Sequence, residues 1–486
     1  MTDTATDGTV SMSSSVNSDS EMGTMMKQEQ GLNTKAYHGR EVTTSKILRM
    51  SSSNQADEID ELQQPLCERK RMRSRIDMYE SPTDDESDDD ESDEESVSHE
   101  ILEELRNFVA SFKGITKKFR FISKIGEGTF SSVYKAEDLD YYKYDNRWDE
   151  DALDLNGKRY VRKRSKGAEA LIRPRPKKYV AIKRIYVTSS PHRIYNELEL
   201  LHTLSRCDNI APLITAFRHQ DQVVAVLPYC NHADFKDIYN SIDVHGIRFY
   251  LKSLFSGLAS VHDNGILHRD VKPTNFLYNL EKQRGVLVDF GLAERELHEN
   301  LYCSCRERRD AVSRHLSDAS RQAVPGYLKN DPRPGRRANR AGTRGFRAPE
   351  VLFKCMNQTT KIDIWSAGVI LLSFLSKRFP FFNSADDIEA TIEIATIFGR
   401  QKMTACALLH GASFETNIPT IHEKPYPLED IIDWANSRSE TGQPKYVYSE
   451  EEALALNFLK RCLEVDYRKR ISAEEALRHP FLSELP

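Results

Sequence analysis

No apolar run in the 486 residues approaches the length of a membrane span; Ala367 to Leu375 is among the longest, and it is far too short. The N-terminus, rich in Ser, Thr and Asp, has no apolar segment of the signal-peptide kind. Eight cysteines are scattered without the spacing of a disulfide framework, which implies a reducing, intracellular compartment. Residues 1 to about 98 also lack apolar periodicity, so they cannot bury enough surface to offset chain entropy and read as a disordered tail.

What the chain does have is charge, and the net value of −5 hides its segregation. Arg69-Lys70-Arg71-Met72-Arg73-Ser74-Arg75 has the composition of a nuclear-import cluster, although a plain solvated basic stretch has it too. Asp84 to Glu95 is almost wholly acidic, broken only by Ser87 and Ser92, each followed by Asp. Ile101-Leu102, Leu105 and Phe108-Val109 recur at helical spacing and predict a short helix leading into a folded domain.

The chemistry concentrates in His268-Arg269-Asp270-Val271-Lys272-Pro273-Thr274-Asn275 and, downstream, Asp289-Phe290-Gly291. Phosphoryl transfer needs a base, a cation and hard oxygen ligands, because a hydroxyl must attack a phosphorus already surrounded by negative charge. Asp270 can orient the acceptor hydroxyl and take its proton, and Lys272 can lie over the transferring group. Asn275 and Asp289 can hold Mg²⁺. This spacing resembles the catalytic and metal loops of the protein kinases, and Lys272 fits their serine/threonine branch. The resemblance implies an α+β, bilobal fold with a β-rich N-lobe and a helical C-lobe. It also implies ATP as phosphoryl donor.

Other segments fit that frame. Ile125-Gly126-Glu127-Gly128-Thr129-Phe130-Ser131-Ser132-Val133 lies in a strand–turn–strand reading; its glycines let backbone N–H groups approach the ATP phosphates, and Val133 covers the adenine. Ser131 replaces the third glycine of the usual pattern. Val180-Ala181-Ile182-Lys183 is an apolar strand presenting one lysine to the α- and β-phosphates. Its partner is Glu197 or Glu199; helical phase places Glu197 with Ile194, Leu198 and Leu201 and Glu199 opposite, so Glu197 is favoured. Leu227 is the expected gatekeeper beside the adenine. Pro228 needs only its carbonyl there, and Cys230 supplies the N–H.

Three inserts interrupt the expected kinase domain of residues 119–483: about 138–178, 295–340 and 400–450. The first has ten Lys or Arg from Lys158 to Lys178 against Glu169 alone, which suits an acidic partner. The second stretches the activation segment to 56 residues between Gly291 and Ala348-Pro349-Glu350. It contains Cys303-Ser304-Cys305 near His298 and His315; zinc normally takes four well-spaced ligands and a second cysteine pair is missing, so the sequence by itself does not make a zinc site. The third reads as irregular. Between the second insert and Ala348 stand Thr343, Arg344 and Arg347; two guanidiniums there favour a carboxylate or phosphate just after the acceptor residue.

The stretches Ile125 to Tyr134, His268 to Tyr278, Gly345 to Leu352 and Trp365 to Ile370 look like the cell-division-cycle-seven kinases, the catalytic subunits of the S-phase kinase that fires replication origins. That resemblance implies a nuclear enzyme activated by a regulatory subunit and acting on acidic tails of the MCM helicase in DNA replication. It further implies that Thr343 bonds to Asp270 and Lys272, that Asp363 braces the catalytic loop, and that Arg470 pairs with Glu350. Arg344 departs from the family's usual proline. Ser87-Asp88 and Ser92-Asp93 resemble such a substrate, so the tail is a candidate intramolecular substrate. The alternatives are a casein-kinase-type acidophilic kinase needing no activator, and a pseudokinase scaffold; no membrane association and at most weak direct nucleic-acid binding are expected.

Overall fold

The computed structural model describes residues 99–483, apart from 113, 129, 145, 147, 150–175, 187, 297–304, 306–307, 310–340 and 439–445. The acidic tail, the basic cluster at 69–75, Thr129 and most of the first two inserts lie outside the described residues. No helix among the described residues is long and apolar enough to cross a membrane.

The expected N-terminal helix forms as α1, His99–Ser111. It is more than a lead-in. Phe108 and Phe112 are buried with Tyr134, Val180, Ile182, Val224 and Val226 in one apolar cluster, so this helix packs as part of the folded unit, ahead of residue 119. Phe108 stacks on Tyr134 with centroids 5.2 Å apart. Half-buried on the same helix, Glu104 accepts hydrogen bonds from Lys124 Nζ at 2.7 Å and Tyr134 Oη at 2.9 Å.

The cluster underlies a five-stranded antiparallel sheet in the order β1-β2-β3-β5-β4. Its strands are β1 (Phe119–Glu127), β2 (Ser131–Asp138), β3 (Tyr179–Ile185), β4 (Thr215–His219) and β5 (Gln222–Pro228). β2 alternates buried and half-buried residues, as period-two side-chain direction requires. β3, flanked by β2 and β5, has four consecutive buried residues from Val180 to Lys183. The helix α2 (Pro191–Thr203) starts on Ser190, whose hydroxyl accepts from the Arg193 N–H, with Pro191 in its first turn.

The second lobe is mostly helical. Its elements are α3 (Phe235–Ile238), α4 (Val244–Asp263), the paired two-residue strands β6 (Ile266–Leu267) and β9 (Glu294–Arg295), the β7–β8 hairpin (Phe276–Asn279, Arg284–Leu287), α5 (Pro349–Leu352) and α6 (Lys361–Ser376). α7 (Asp387–Leu409), α8 (Leu428–Ala435), α9 (Glu450–Cys462), α10 (Ala473–Leu477) and α11 (Pro480–Ser483) follow. α6 is buried on all sides, from Ile362 through Phe374, which marks it as the axis of this lobe. Capping boxes start α9 (Ser449 with Glu452) and α10 (Ser472 with Glu475). This is the α+β, two-lobed arrangement that the motifs imply.

Part of the third insert is helical among the described residues. Residues 400–409 continue α7, and α8 adds a further helix; Met403, Cys406, Ile421, Leu428 and Ile432 all enter the main core. Gly399, at φ 78° and ψ 160°, breaks the helix and resets its apolar phase, which is why no single period runs through the segment.

Candidate active site

The site lies where the sheet, α2 and the loops after β6 and β8 converge. β3 holds Lys183 opposite Val133 of β2 and Ala225 of β5. Ala181 stands opposite Leu227, so the strip from Val133 to Leu227 forms one wall. A Cβ on Gly126 or Gly128 would meet no chain atom closer than 3.8 Å. The missing side chains therefore leave open space over the wall, as a nucleotide phosphate approaching the backbone requires. Ile125 and Phe130 are exposed at the loop, and Arg193 lies over the Phe130 ring at 4.1 Å. In the hinge, Cys230 Sγ is 3.9 Å from the Pro228 carbonyl, and the Cys230 carbonyl lies 3.0 Å from His232 Nδ1.

Lys183 Nζ is 2.5 Å from Glu197 Oε1 and 2.7 Å from Asp289 Oδ1. Both Lys183 and Glu197 are buried, as helical phase required of Glu197. Glu199 instead makes a surface pair with Arg295 at 3.4 Å. Burial alone would lower the Lys183 pKa, but the two carboxylates outweigh it and raise it. The Lys183 charge in turn pulls Asp289 down to about 2. Asp289 is therefore ionised, and ready to hold a cation, at any pH above about 4. α2 also grips the loop carrying Asp289: Arg193 Nε donates to the Gly291 carbonyl at 2.9 Å and Asn196 Nδ2 to the Ala293 carbonyl at 2.8 Å.

Asp270 sits under four donors. Its Oδ1 accepts from the Thr343 N–H at 2.9 Å and the Thr343 hydroxyl at 2.8 Å. Its Oδ2 accepts from Asn275 Nδ2 at 3.1 Å and lies 2.9 Å from Lys272 Nζ. Lys272 also donates to the Thr343 hydroxyl at 2.9 Å. The carboxylate is thereby locked in one orientation; three of its four acceptor positions take hydrogen bonds and the fourth faces the Lys272 ammonium, which an acceptor hydroxyl would have to share. Because the Asn275 amide nitrogen is spent on Asp270, its carbonyl oxygen is the donor left for a metal, alongside Asp289.

Arg269 and Asp289 hold positive φ values of 68° and 63°, a conformation that non-glycine residues adopt at a cost and that the surroundings must enforce. Asp363 of α6 does so for the first: its carboxylate accepts the backbone N–H groups of His268 and Arg269, both at 2.8 Å. His268 Nε2 donates to the Val288 carbonyl at 3.0 Å, tying the catalytic loop to the strand end before Asp289. Arg269 is buried and pairs with Glu294 of β9 at 2.6 Å, a partner that the sequence reading missed because nothing local marks it.

The two guanidiniums expected to face a substrate acid separate in the structure. Arg347 is engaged by Asp387 Oδ1 at 2.6 Å and by the Gly342 carbonyl, whereas Arg344 is exposed. The Arg347–Asp387 pair braces the strip against α7 and leaves Arg344 as the outward cation. Gly342 makes the strip possible. It has φ 93°, and a Cβ there would lie 2.4 Å from the Arg269 carbonyl oxygen. Gly342→Ala is therefore expected to displace Thr343 from Asp270 and lower kcat by about 10²-fold, the usual order for a misplacement near 1 Å, with little change in KM for ATP. Steady-state kinetics read both.

Of the zinc-type candidates, His298, Cys303 and His315 lie outside the described residues. Cys305 is described, buried beside Cys355 and His410.

The protein kinase domain family matches residues 169–310 and 322–482. The chain is 51% identical to the cell cycle serine/threonine-protein kinase hsk1 of Schizosaccharomyces pombe, over 78% of this chain and 75% of that protein. It is 41% identical to the cell cycle protein kinase spo4 of the same organism, over 80% and 90%. It is 40% identical to the probable cell division control protein 7 homolog 2 of Encephalitozoon cuniculi, over 76% and 93%.

Proposed function

The chain belongs to the protein kinases, as a serine/threonine kinase of the cell-division-cycle-seven type with a cell-cycle role, and on that premise we propose that it moves the γ-phosphoryl group of Mg²⁺-ATP to Ser or Thr followed by an acidic or phosphorylated residue. A kinase domain of this kind uses ATP and a divalent metal. Asn275 and Asp289 would hold that metal, whose chemistry would be to neutralise charge on the phosphates. Glu197 keeps Lys183 aimed at the phosphates, Asp270 aligns the acceptor hydroxyl and takes its proton, and Lys272 offsets charge on the transferring group.

The observation that carries the acidic preference is the exposed Arg344 beside Thr343, itself hydrogen-bonded to Asp270. A charge-assisted hydrogen bond of this kind contributes about 1.5–3 kcal/mol. Arg344→Ala should raise KM about tenfold for a peptide with Asp after the acceptor serine and leave a peptide with Ala there unchanged. Equal effects on both peptides would remove Arg344 from substrate recognition.

Resemblance to the replication-firing kinases supports three further elements: a nuclear location, an activating regulatory subunit, and the MCM helicase as substrate in the initiation of DNA replication. The alternative reading is an acidophilic kinase of the casein-kinase type, and phosphate transfer that needs no activating subunit would favour it.

A further inference from the structure

Arg193 stands on α2 about one turn before Glu197, on the same face of the helix, and touches two different loops. Its guanidinium carbon lies 4.1 Å from the centre of the Phe130 ring at the tip of the glycine loop, and its Nε donates to the Gly291 carbonyl at 2.9 Å. We propose that Arg193 is a positioning residue whose single guanidinium ties the glycine loop to the Asp289 loop and holds both over the ATP phosphates. This role rests on the reading of the chain as an ATP-using kinase.

The pair of contacts calls for an arginine. A guanidinium is planar, so its face can cover a ring while an edge N–H donates to a carbonyl; an ammonium is a point charge and cannot hold both partners in one geometry. Phe130 is 41% exposed, and Gly126 and Gly128 precede it, so the loop has backbone freedom to lose when it closes on a nucleotide. A ring pinned to α2 removes part of that freedom beforehand and leaves less to lose on binding. The tip is also held from the strand side, where the Tyr186 N–H donates to the Phe130 carbonyl at 2.9 Å.

The other contact acts on the metal loop. The Gly291 N–H is 3.4 Å from Asp289 Oδ1, the oxygen that lies 2.7 Å from Lys183 Nζ. Glu197 holds the same lysine at 2.5 Å, from the same face of α2 as Arg193. The position of this one helix therefore sets Lys183, the Asp289 loop and the glycine loop together. A shift of α2 that opens the Lys183–Glu197 pair would also release Phe130.

Calorimetric titration of the full chain with ATP in the presence of Mg²⁺, and separately with adenosine, tests this without a transfer assay. Phe130→Leu, which removes the ring alone, should weaken ATP binding about threefold. Arg193→Ala, which removes both contacts, should weaken it about tenfold, and the double variant should bind like Arg193→Ala. Arg193→Lys keeps the charge and should stay clearly weaker than the parent. Adenosine has no phosphates for the loops to cover, so it should bind the parent and every variant alike, which also shows that the variants are folded. Full ATP binding by Arg193→Ala or Arg193→Lys, a loss of about thirtyfold in the double variant, or adenosine weakened as much as ATP would each overturn the role of Arg193 and leave the kinase reading standing. A parent chain that binds no ATP would overturn both.

Discussion

Asp270→Asn should lower kcat by about 10³-fold while ATP binding stays within about twofold of the parent. The carboxylate accepts three hydrogen bonds, two from Thr343 and one from Asn275, and is paired with the Lys272 ammonium at 2.9 Å. An amide turns one of these acceptors into a donor, which must then face either the Thr343 donors or the Lys272 ammonium. The base is lost, and the orientation of the strip that receives substrate is lost with it. The residues proposed to contact ATP, Lys183, Asp289 and the glycine loop, make no hydrogen bond to this carboxylate among the described residues. Single-turnover phosphate transfer and nucleotide titration together check both halves. A parallel fall in ATP affinity would mean that Asp270 supports the nucleotide site rather than the acceptor.

Breaking the Arg470–Glu350 pair should have the largest effect on stability. Arg470 is fully buried, with Nη1 and Nη2 donating to Glu350 at 2.7 and 3.0 Å. The same guanidinium donates to the Lys361 and Glu464 carbonyls, at 2.7 and 2.8 Å. Glu350→Gln leaves a buried cation without its counter-charge; Arg470→Met leaves a buried carboxylate and two backbone carbonyls without theirs. Each should cost about 3–5 kcal/mol of unfolding free energy. The double variant Glu350→Met/Arg470→Met removes both charges and should cost clearly less than the sum, as expected for groups that act as a unit. Urea unfolding followed by circular dichroism measures all three; additive costs would show that the two charges do not depend on each other.

How much of this was legible in the sequence depends on whether partners lie close in the chain or are fixed by a motif. Asp270, Lys272, Asn275 and Asp289 sit at spacings that phosphoryl transfer imposes, so reading them needed no fold. Glu197 could be chosen over Glu199 because helical phase is a local property, and Lys183 indeed pairs with it. The role of Arg347 was not legible in this way. Its partner Asp387 starts α7, forty residues on, and only the packed lobe brings them together. The same holds for the meeting of Cys355 and His410 with Cys305. Each is a lone residue in its own segment, and fifty residues separate Cys305 from Cys355. The helix at 400–409 was hidden by Gly399, which shifts the helical phase midway. Phe108 and Phe112 showed a helix but not its destination, because an amphipathic period tells which face is buried and not against what.

The most direct measurement is transfer of radiolabelled phosphate from ATP to a peptide carrying Ser-Asp in an acidic run, beside the same peptide with the Asp neutralised. It should be made with the chain alone, with a candidate activating subunit, and with Asp270→Asn as the control. Transfer that prefers the acidic peptide, is lost in the control and rises strongly with the activating subunit is the expected result. Equal transfer to both peptides, or nucleotide binding with no transfer under any condition, would contradict the proposal that this chain is an acid-directed serine/threonine kinase.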